Sequence, residues 1–342
     1  MKKSIRVNLV SLQFQPNPDL YREWLDYHHA LGFDKIFVFD NNRTKFDHET
    51  QPLPAVYDNV KVIPIFDLGH NTHGEQSCRT KYAEEYLKDC DYLLVLDADE
   101  FLYIKENISV KKFLKKYENI PFEQLGIPWK GMASNKAIQS GKSAIEDFRY
   151  TSMSGIPNNL YNDKREPCAI KSFFLKESVV ENGNRDLMHY LGWDLGGRGL
   201  YSCNGEKITT AYYDHYKYGT KGFDEAPAYI CHYRWTYLDD IRKYSKRYKA
   251  SKFYGGHTTN PNLQKDRVVD KIPPEKLGSM YEARMREYTI KDDSMLIRKQ
   301  ELLANPFPVG ETVEMEVFSP SESKKKEKTP EKKIKWEDDW ED

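Results

Sequence analysis

Apolar positions in this chain follow two rhythms. Short runs rich in Val, Ile, Leu and Phe read as strands: Ile5–Phe14, Lys35–Phe39, Val60–Phe66 and Tyr92–Leu96. Between the first two, apolar residues from Leu20 to Leu31 recur at helical spacing. Pro16 and Pro18 end the first strand, Asp19 is placed to cap the helix, and Gly32 follows its last residue. A polar loop, Gly69–Gly74, leads into a second helix over Glu75–Asp89. Strands alternating with helices imply an α/β fold with a mixed, mostly parallel sheet built from βαβ units.

Beyond Leu102 the rhythm loosens. Ser109–Tyr117 reads as a helix capped by its serine. Ile127–Trp129, Ala169–Leu175 and Tyr229–Tyr233 are strand candidates, and Gly131–Ser143 is small and polar, like a loop over a site. Tyr237–Ala250 is a basic, tyrosine-rich helical stretch, and a helical pattern returns over Pro274–Leu303. Residues 320–342 run from lysine-rich to acidic and cannot bury a core, so they read as a disordered tail. The expected organisation is a first domain over 1–250, a helical extension over 251–319 and the tail over 320–342.

Composition narrows the function class. The 342 residues carry a net charge of -1, so no overall basic field argues for nucleic acid. Five cysteines (Cys78, Cys90, Cys168, Cys203 and Cys231) show no C-x-x-C spacing, which speaks against a zinc ribbon or disulfide framework and for a reducing, cytoplasmic setting. No apolar stretch is long enough to span a bilayer. The chain has 24 tyrosines and 6 tryptophans; most belong to the core by default, though aromatic faces also suit sugars.

The chemistry concentrates in Tyr92-Leu93-Leu94-Val95-Leu96-Asp97-Ala98-Asp99-Glu100-Phe101-Leu102. A buried strand delivers three carboxylates at its C-terminal end, where open α/β sheets bind ligands. An extended chain would project Asp97 and Asp99 to one side, an oxygen pair suited to a hard divalent cation gripping a diphosphate. A structural turn is the plain alternative. A Walker-type nucleotidase is another, but the only Gly-Lys-Ser, Gly141-Lys142-Ser143, lies downstream, with Lys136 where the loop's first glycine belongs. Aspartyl-phosphate enzymes place their Asp-x-Asp in the first strand, unlike Asp97.

Two blocks carry a resemblance. One is Glu23-Trp24-Leu25-Asp26-Tyr27-His28 followed by Leu31-Gly32-Phe33-Asp34-Lys35-Ile36-Phe37-Val38-Phe39-Asp40-Asn41-Asn42. The other is Gln76 and then Cys90–Leu102. Together they resemble the family 2-like and family 92-like glycosyltransferases of the GT-A fold, over residues 5–250. Lys171 in Ala169-Ile170-Lys171-Ser172 and His232-Tyr233 are similar to two later landmarks of those proteins.

The resemblance implies a nucleotide-sugar donor, UDP-linked, and an inverting transfer to a glycan or lipid-linked acceptor. It implies Mn2+ or Mg2+ held by Asp97 and Asp99, with His232 as a later ligand and Lys171 on the diphosphate. His232 as a satisfied strand histidine and Lys171 as a surface lysine are the plain alternatives. Asp40 ends a strand where base or ribose should lie, though Asp-Asn-Asn is also good turn chemistry. His70, His73 and Gln76 are placed to touch the donor or cap a loop. An inverting transfer needs a base: Glu146 and Asp147 are the first candidates, and Asp194, within Gly192-Trp193-Asp194-Leu195-Gly196-Gly197, is the second. The basic stretch Tyr237–Ala250 suits either peripheral membrane contact or a solvated helix face. A non-catalytic nucleotide-sugar-binding scaffold is the reading from another class.

Overall fold

The computed structural model describes residues 2–13, 17–42, 52–66, 82–136, 138–151, 168–181, 199–207, 211–212, 215–216, 226–233, 237 and 288–317. In chain order come β1 (Lys2–Ser4), β2 (Val7–Gln13), α1 (Pro18–Ala30), β3 (Lys35–Asn42), β4 (Val60–Phe66), α2 (Ala83–Leu87), β5 (Tyr92–Asp97) and β6 (Glu100–Ile104). Then follow α3 (Val110–Lys115), β7 (Gln124–Gly131), α4 (Ala144–Asp147), β8 (Tyr150–Thr151), β9 (Cys168–Leu175) and α5 (Lys176–Glu181). The order closes with β10 (Leu200–Ser202), β11 (Ala211–Tyr212), β12 (His215–Tyr216), β13 (Ala228–His232), β14 (Ile290–Lys291), α6 (Ser294–Ala304) and β15 (Glu314–Glu316).

The main sheet runs β4-β3-β2-β5-β9-β7-β13-β6. Its first four strands are parallel, as the βαβ rhythm predicts. β9 joins β5 and β7 antiparallel, β13 lies parallel to β7, and β6 closes antiparallel to β13. Parallel pairing thus covers the first half and recurs where β13 and β10 join β7, so the sheet is mixed.

The continuous apolar run of β5 is explained by burial on both faces. Leu94 and Leu96 face one core with Leu9, Trp24, Leu25 and Phe113. Leu93 and Val95 face the other, with Val10, Phe39, Tyr86 and Val179.

Several boundaries differ from the sequence reading. α1 begins at Pro18, whose fixed φ suits the first helical position, and its cap is Asn17, accepting the Asp19 amide at 2.9 Å, rather than Asp19. Gly32, at φ +82, takes the left-handed position that ends the helix. The β5 strand stops at Asp97, and Ala98-Asp99 form a turn before β6. Over Pro274–Leu303 the described helix is Ser294–Ala304, preceded by the short strand Ile290–Lys291. The stretch Gly69–Gly74, the first part of Glu75–Asp89 and residues 320–342 lie outside the described residues.

The C-terminal residues return to the domain. β15 pairs antiparallel with β1, and Phe307 donates its amide to the Ala30 carbonyl. Lys111 Nζ, nearly fully buried, bonds Asp34 (2.6 Å) and the Glu311 carbonyl (2.7 Å). Among the described residues no helix is long and apolar enough to cross a membrane, and Cys90, Cys203 and Cys231 are free thiols.

Candidate active site

Three strand ends and one turn gather the acidic motif's partners. β13 is held between β6 and β7, so that His232 stands opposite both Glu100 and Gly131. Tyr233 donates its amide to the Asp99 carbonyl (2.8 Å), which fixes the Ala98-Asp99 turn over the end of β13. His232 Nε2 then lies 3.4 Å from Asp99 Oδ2, and its ring leans on Trp129 with centroids 4.5 Å apart.

Asp97 is held differently. Lys171 reaches across from β9 and places Nζ 2.9 Å from Asp97 Oδ2 and 3.2 Å from Glu100 Oε2. The lysine side chain is completely buried, as is Glu100, whereas Asp97 and Asp99 are about one-third exposed, at 38% and 34%. Glu100 Oε2 also accepts the Asp97 amide at 2.7 Å. Burial penalises the Glu100 carboxylate, Lys171 opposes that, and the group is pushed up to about 7. The counter-charge that three adjacent acids require is therefore Lys171.

This corrects the pleat argument. Asp97 and Asp99 are not successive outward positions of one strand. They flank a turn, and each has its own partner: Lys171 for Asp97 and His232 for Asp99. Among the described residues no three His, Cys, Asp or Glu side chains converge on a ready-made metal cluster. The donor chemistry still fits a hard cation shared with a diphosphate. Asp99 and His232 offer oxygen and imidazole nitrogen side by side, Asp97 offers a partly exposed carboxylate nearby, and ions of this kind complete their shell with water and substrate phosphate.

The frame beneath is buried and hydrogen-bonded. Trp24, from the Glu-Trp block of α1, is fully buried and donates Nε1–H to the Glu100 carbonyl at 2.8 Å. His28, one turn on, bonds the Trp24 carbonyl through Nδ1 (2.8 Å) and faces the Leu102 amide with Nε2 (3.4 Å). Burial lowers its pKa to about 3, so it is neutral. Asp40, two residues before the end of β3, pairs with Gln13 of β2, and Leu12 pairs with Asp97, so both carboxylates stand toward the same end of the parallel strands. Asp40 is fully buried and accepts the Leu53 amide at 3.3 Å.

Asp147 closes α4. Met132 donates to the His232 carbonyl (2.9 Å) and Ala133 exchanges two 2.8 Å bonds with Tyr150, so the α4 segment is anchored at the His232 end of the sheet. Tyr237, four residues after Tyr233, donates its hydroxyl to Asp147 Oδ2 at 2.5 Å. Burial first, then this bond, raises the tyrosine pKa. Asp194, His70, His73 and Gln76 lie outside the described residues.

Glu23, Lys299, Trp129 and Tyr237 were not singled out from sequence. Glu23 sits in a conspicuous motif, but its partners Ser143 and Lys299 are 120 and 276 positions away. A cavity of ≈ 1040 Å³, lined by His29, Lys35, Tyr57, Lys61, Lys88 and Val309, opens at the start of β3 and β4. That is the end of the parallel strands opposite Asp97.

A parallel sheet continued by antiparallel strands, with an acidic turn at the end of its central strand, is the architecture of the GT-A fold. The chain belongs to glycosyltransferase family 92, whose model matches residues 15–255.

Among solved structures, Staphylococcus aureus TarS (residues 1–349, in complex with UDP) is 12% identical, covering 53% of this chain and 50% of that one, with a TM-score of 0.33. This chain thus spans half of that protein's crystallised length. Rv0371c from Mycobacterium tuberculosis H37Rv is 11% identical over 58% of this chain and 88% of that one, at TM-score 0.31. HddC from Yersinia pseudotuberculosis is 11% identical over 51% and 79%, at 0.30. Likenesses this remote identify neither substrate nor site. No curated relative matches the chain by sequence.

Proposed function

We propose that this chain transfers a hexose from a UDP-sugar to a glycan or lipid-linked saccharide, with inversion and with Mn2+ or Mg2+. The observation that carries the reading is the Asp99–His232 contact of 3.4 Å, beside the Lys171–Asp97 pair, at the carboxyl end of the central strand. Asp97, Asp99 and His232 would hold the ion, which when bound neutralises the departing diphosphate.

The chain's own groups do the rest. Lys171 brings a fixed positive charge to the same strand end, where a diphosphate competes with Asp97 for it. Asp40 accepts from a ribose hydroxyl on the neighbouring strand end. Asp147 takes the proton of the acceptor hydroxyl, its carboxylate oriented by Tyr237. Asp194 is the alternative base.

The test is a UDP-hexose panel with Mn2+ against an array of oligosaccharide and lipid-linked acceptors, read by mass spectrometry and by anomeric NMR couplings. UDP should bind well with Mn2+ and weakly with EDTA, and Asp99→Asn should abolish transfer while the fold persists. Equal calorimetric affinity with Mn2+ and with EDTA removes the metal role. A binder with no transfer across the array is a scaffold.

A further inference from the structure

The segment that follows the family-matched region is wired into the short turn that carries Asp147. Lys299 lies on α6, more than forty residues beyond residue 255. Its Nζ is 2.8 Å from Glu23 Oε1, 3.2 Å from Ser143 Oγ and 2.9 Å from Glu146 Oε1. Glu23, on α1, is nearly fully buried. Its Oε1 also accepts the Ser143 hydroxyl, and its Oε2 accepts the Ala144 amide at 2.7 Å. Ser143 in turn caps the turn by accepting the Glu146 amide at 3.1 Å.

One ammonium and one carboxylate, from helices at opposite ends of the chain, thus hold Ser143, Ala144 and Glu146. Burial works against the charge on Lys299, but Glu23 and Glu146 outweigh it and its pKa is raised.

The far side of the same short helix is fixed by the same C-terminal segment. β14 pairs antiparallel with β8, Asp292 donates its amide to the Arg149 carbonyl (2.8 Å), and Arg149 reaches Asp293 at 3.3 Å. A four-residue helix has no stability of its own. Its placement, and that of Asp147 at its end, is decided by these outside contacts. A cationic bridge between Glu23 and Glu146 sets the rotation of the turn, and that rotation aims the next side chain.

We propose that Lys299 is a positioning residue for sugar transfer, fixing the Ser143–Asp147 turn through Glu23 and Glu146 so that Asp147 meets the acceptor hydroxyl. The inference rests on the reading of Asp147 as the base. Its signature is a loss in kcat with donor KM unchanged, because the bridge touches the acceptor side and not the diphosphate.

The experiment uses the full chain and the UDP-hexose and acceptor pair selected by the panel. Lys299→Met should lower kcat by about tenfold or more, as small misplacements of reacting groups do, while donor KM stays within about twofold. Lys299→Arg should recover most of the rate. Glu146→Gln, at an exposed side chain, should lower kcat by a smaller factor with an unchanged melting temperature. On an Asp147→Asn background, Lys299→Met should add little, since both act through one group.

Wild-type kcat in Lys299→Met with an impaired Asp147→Asn overturns the inference and leaves the base reading standing. Wild-type kcat in Asp147→Asn overturns the base reading and the inference with it. Fully additive losses in the double variant show that Lys299 does not act through Asp147. Should Lys299→Met fail to fold, Glu146→Gln decides: wild-type kcat there also overturns the inference.

Discussion

Lys171 and Asp97, 74 positions apart, form an ion pair, Nζ to Oδ2 2.9 Å, between the antiparallel strands β9 and β5. The lysine side chain is wholly buried and also faces buried Glu100 at 3.2 Å. A buried ammonium needs such partners, and the acidic turn needs the ammonium. The motif that reads as a metal site from sequence thus carries its own buried counter-ion.

Removing that ammonium should therefore cost stability. Lys171→Met leaves Glu100 buried without its cation, and breaking a pair of this kind costs about 3–5 kcal/mol. Denaturant unfolding should show the loss, and Glu100→Gln added to Lys171→Met should restore part of it. Additive losses in the double variant would mean that the two residues do not act as a pair.

Glu23 should be as sensitive. Its carboxylate satisfies the Ala144 amide, the Ser143 hydroxyl and Lys299 at once. Glu23→Ala strands these polar groups, at about 1–3 kcal/mol for each one left buried and unpaired. Hydrogen exchange at the Ala144 and Glu146 amides should quicken in step. Unchanged protection at both positions would show that Glu23 is not what holds the turn.

His28 imposes a pH dependence. Its folded pKa is lowered by burial from 6.5 to about 3. The unfolded chain then binds the proton more readily, so the stability His28 contributes is complete above 6.5 and is lost as pH falls toward about 3. Over that window its slope approaches about 1.4 kcal/mol per pH unit. His28→Gln should unfold more easily at neutral pH yet lose less on acidification than wild type. Parallel stability curves for the two proteins would refute this.

The C-terminal segment and the tail should separate in a truncation series. Ending the chain after Ala304 removes the β1–β15 pairing, the Phe307–Ala30 bond and the Glu311 carbonyl on buried Lys111. A loss of about 3 kcal/mol, on the order of 5–10 °C in melting temperature, is expected. Ending it after residue 319 should change neither melting temperature nor donor binding, because the composition of residues 320–342 cannot offset the entropy of ordering. A marked drop in the second truncation would show that the tail packs on the domain.

Much of the fold lies in local pattern. The apolar runs at β2, β3, β4 and β5, the helical spacing of α1 and the Ser109 cap of α3 are short-range signals, and each element is there. Chain rhythm likewise sufficed for the parallel half, since a strand–helix–strand unit has one favoured way to pack. The acidic turn and its place at a strand end were equally legible, because hydrophobicity and charge change abruptly at Asp97.

The remainder depended on long-range pairing. Nothing near Asp97 shows that the strand ends there, because the turn is held by Tyr233, more than a hundred residues on. Nothing near Lys171 shows that it is buried; its place follows from β9 entering the sheet antiparallel between β5 and β7. Glu23 and Lys299 have no mutual signal over 276 positions. Local sequence sets backbone preference and side-chain period, which act over a few residues. Which charge neutralises which is set by sheet order and helix packing, and those minimise the free energy of the whole chain rather than of any segment.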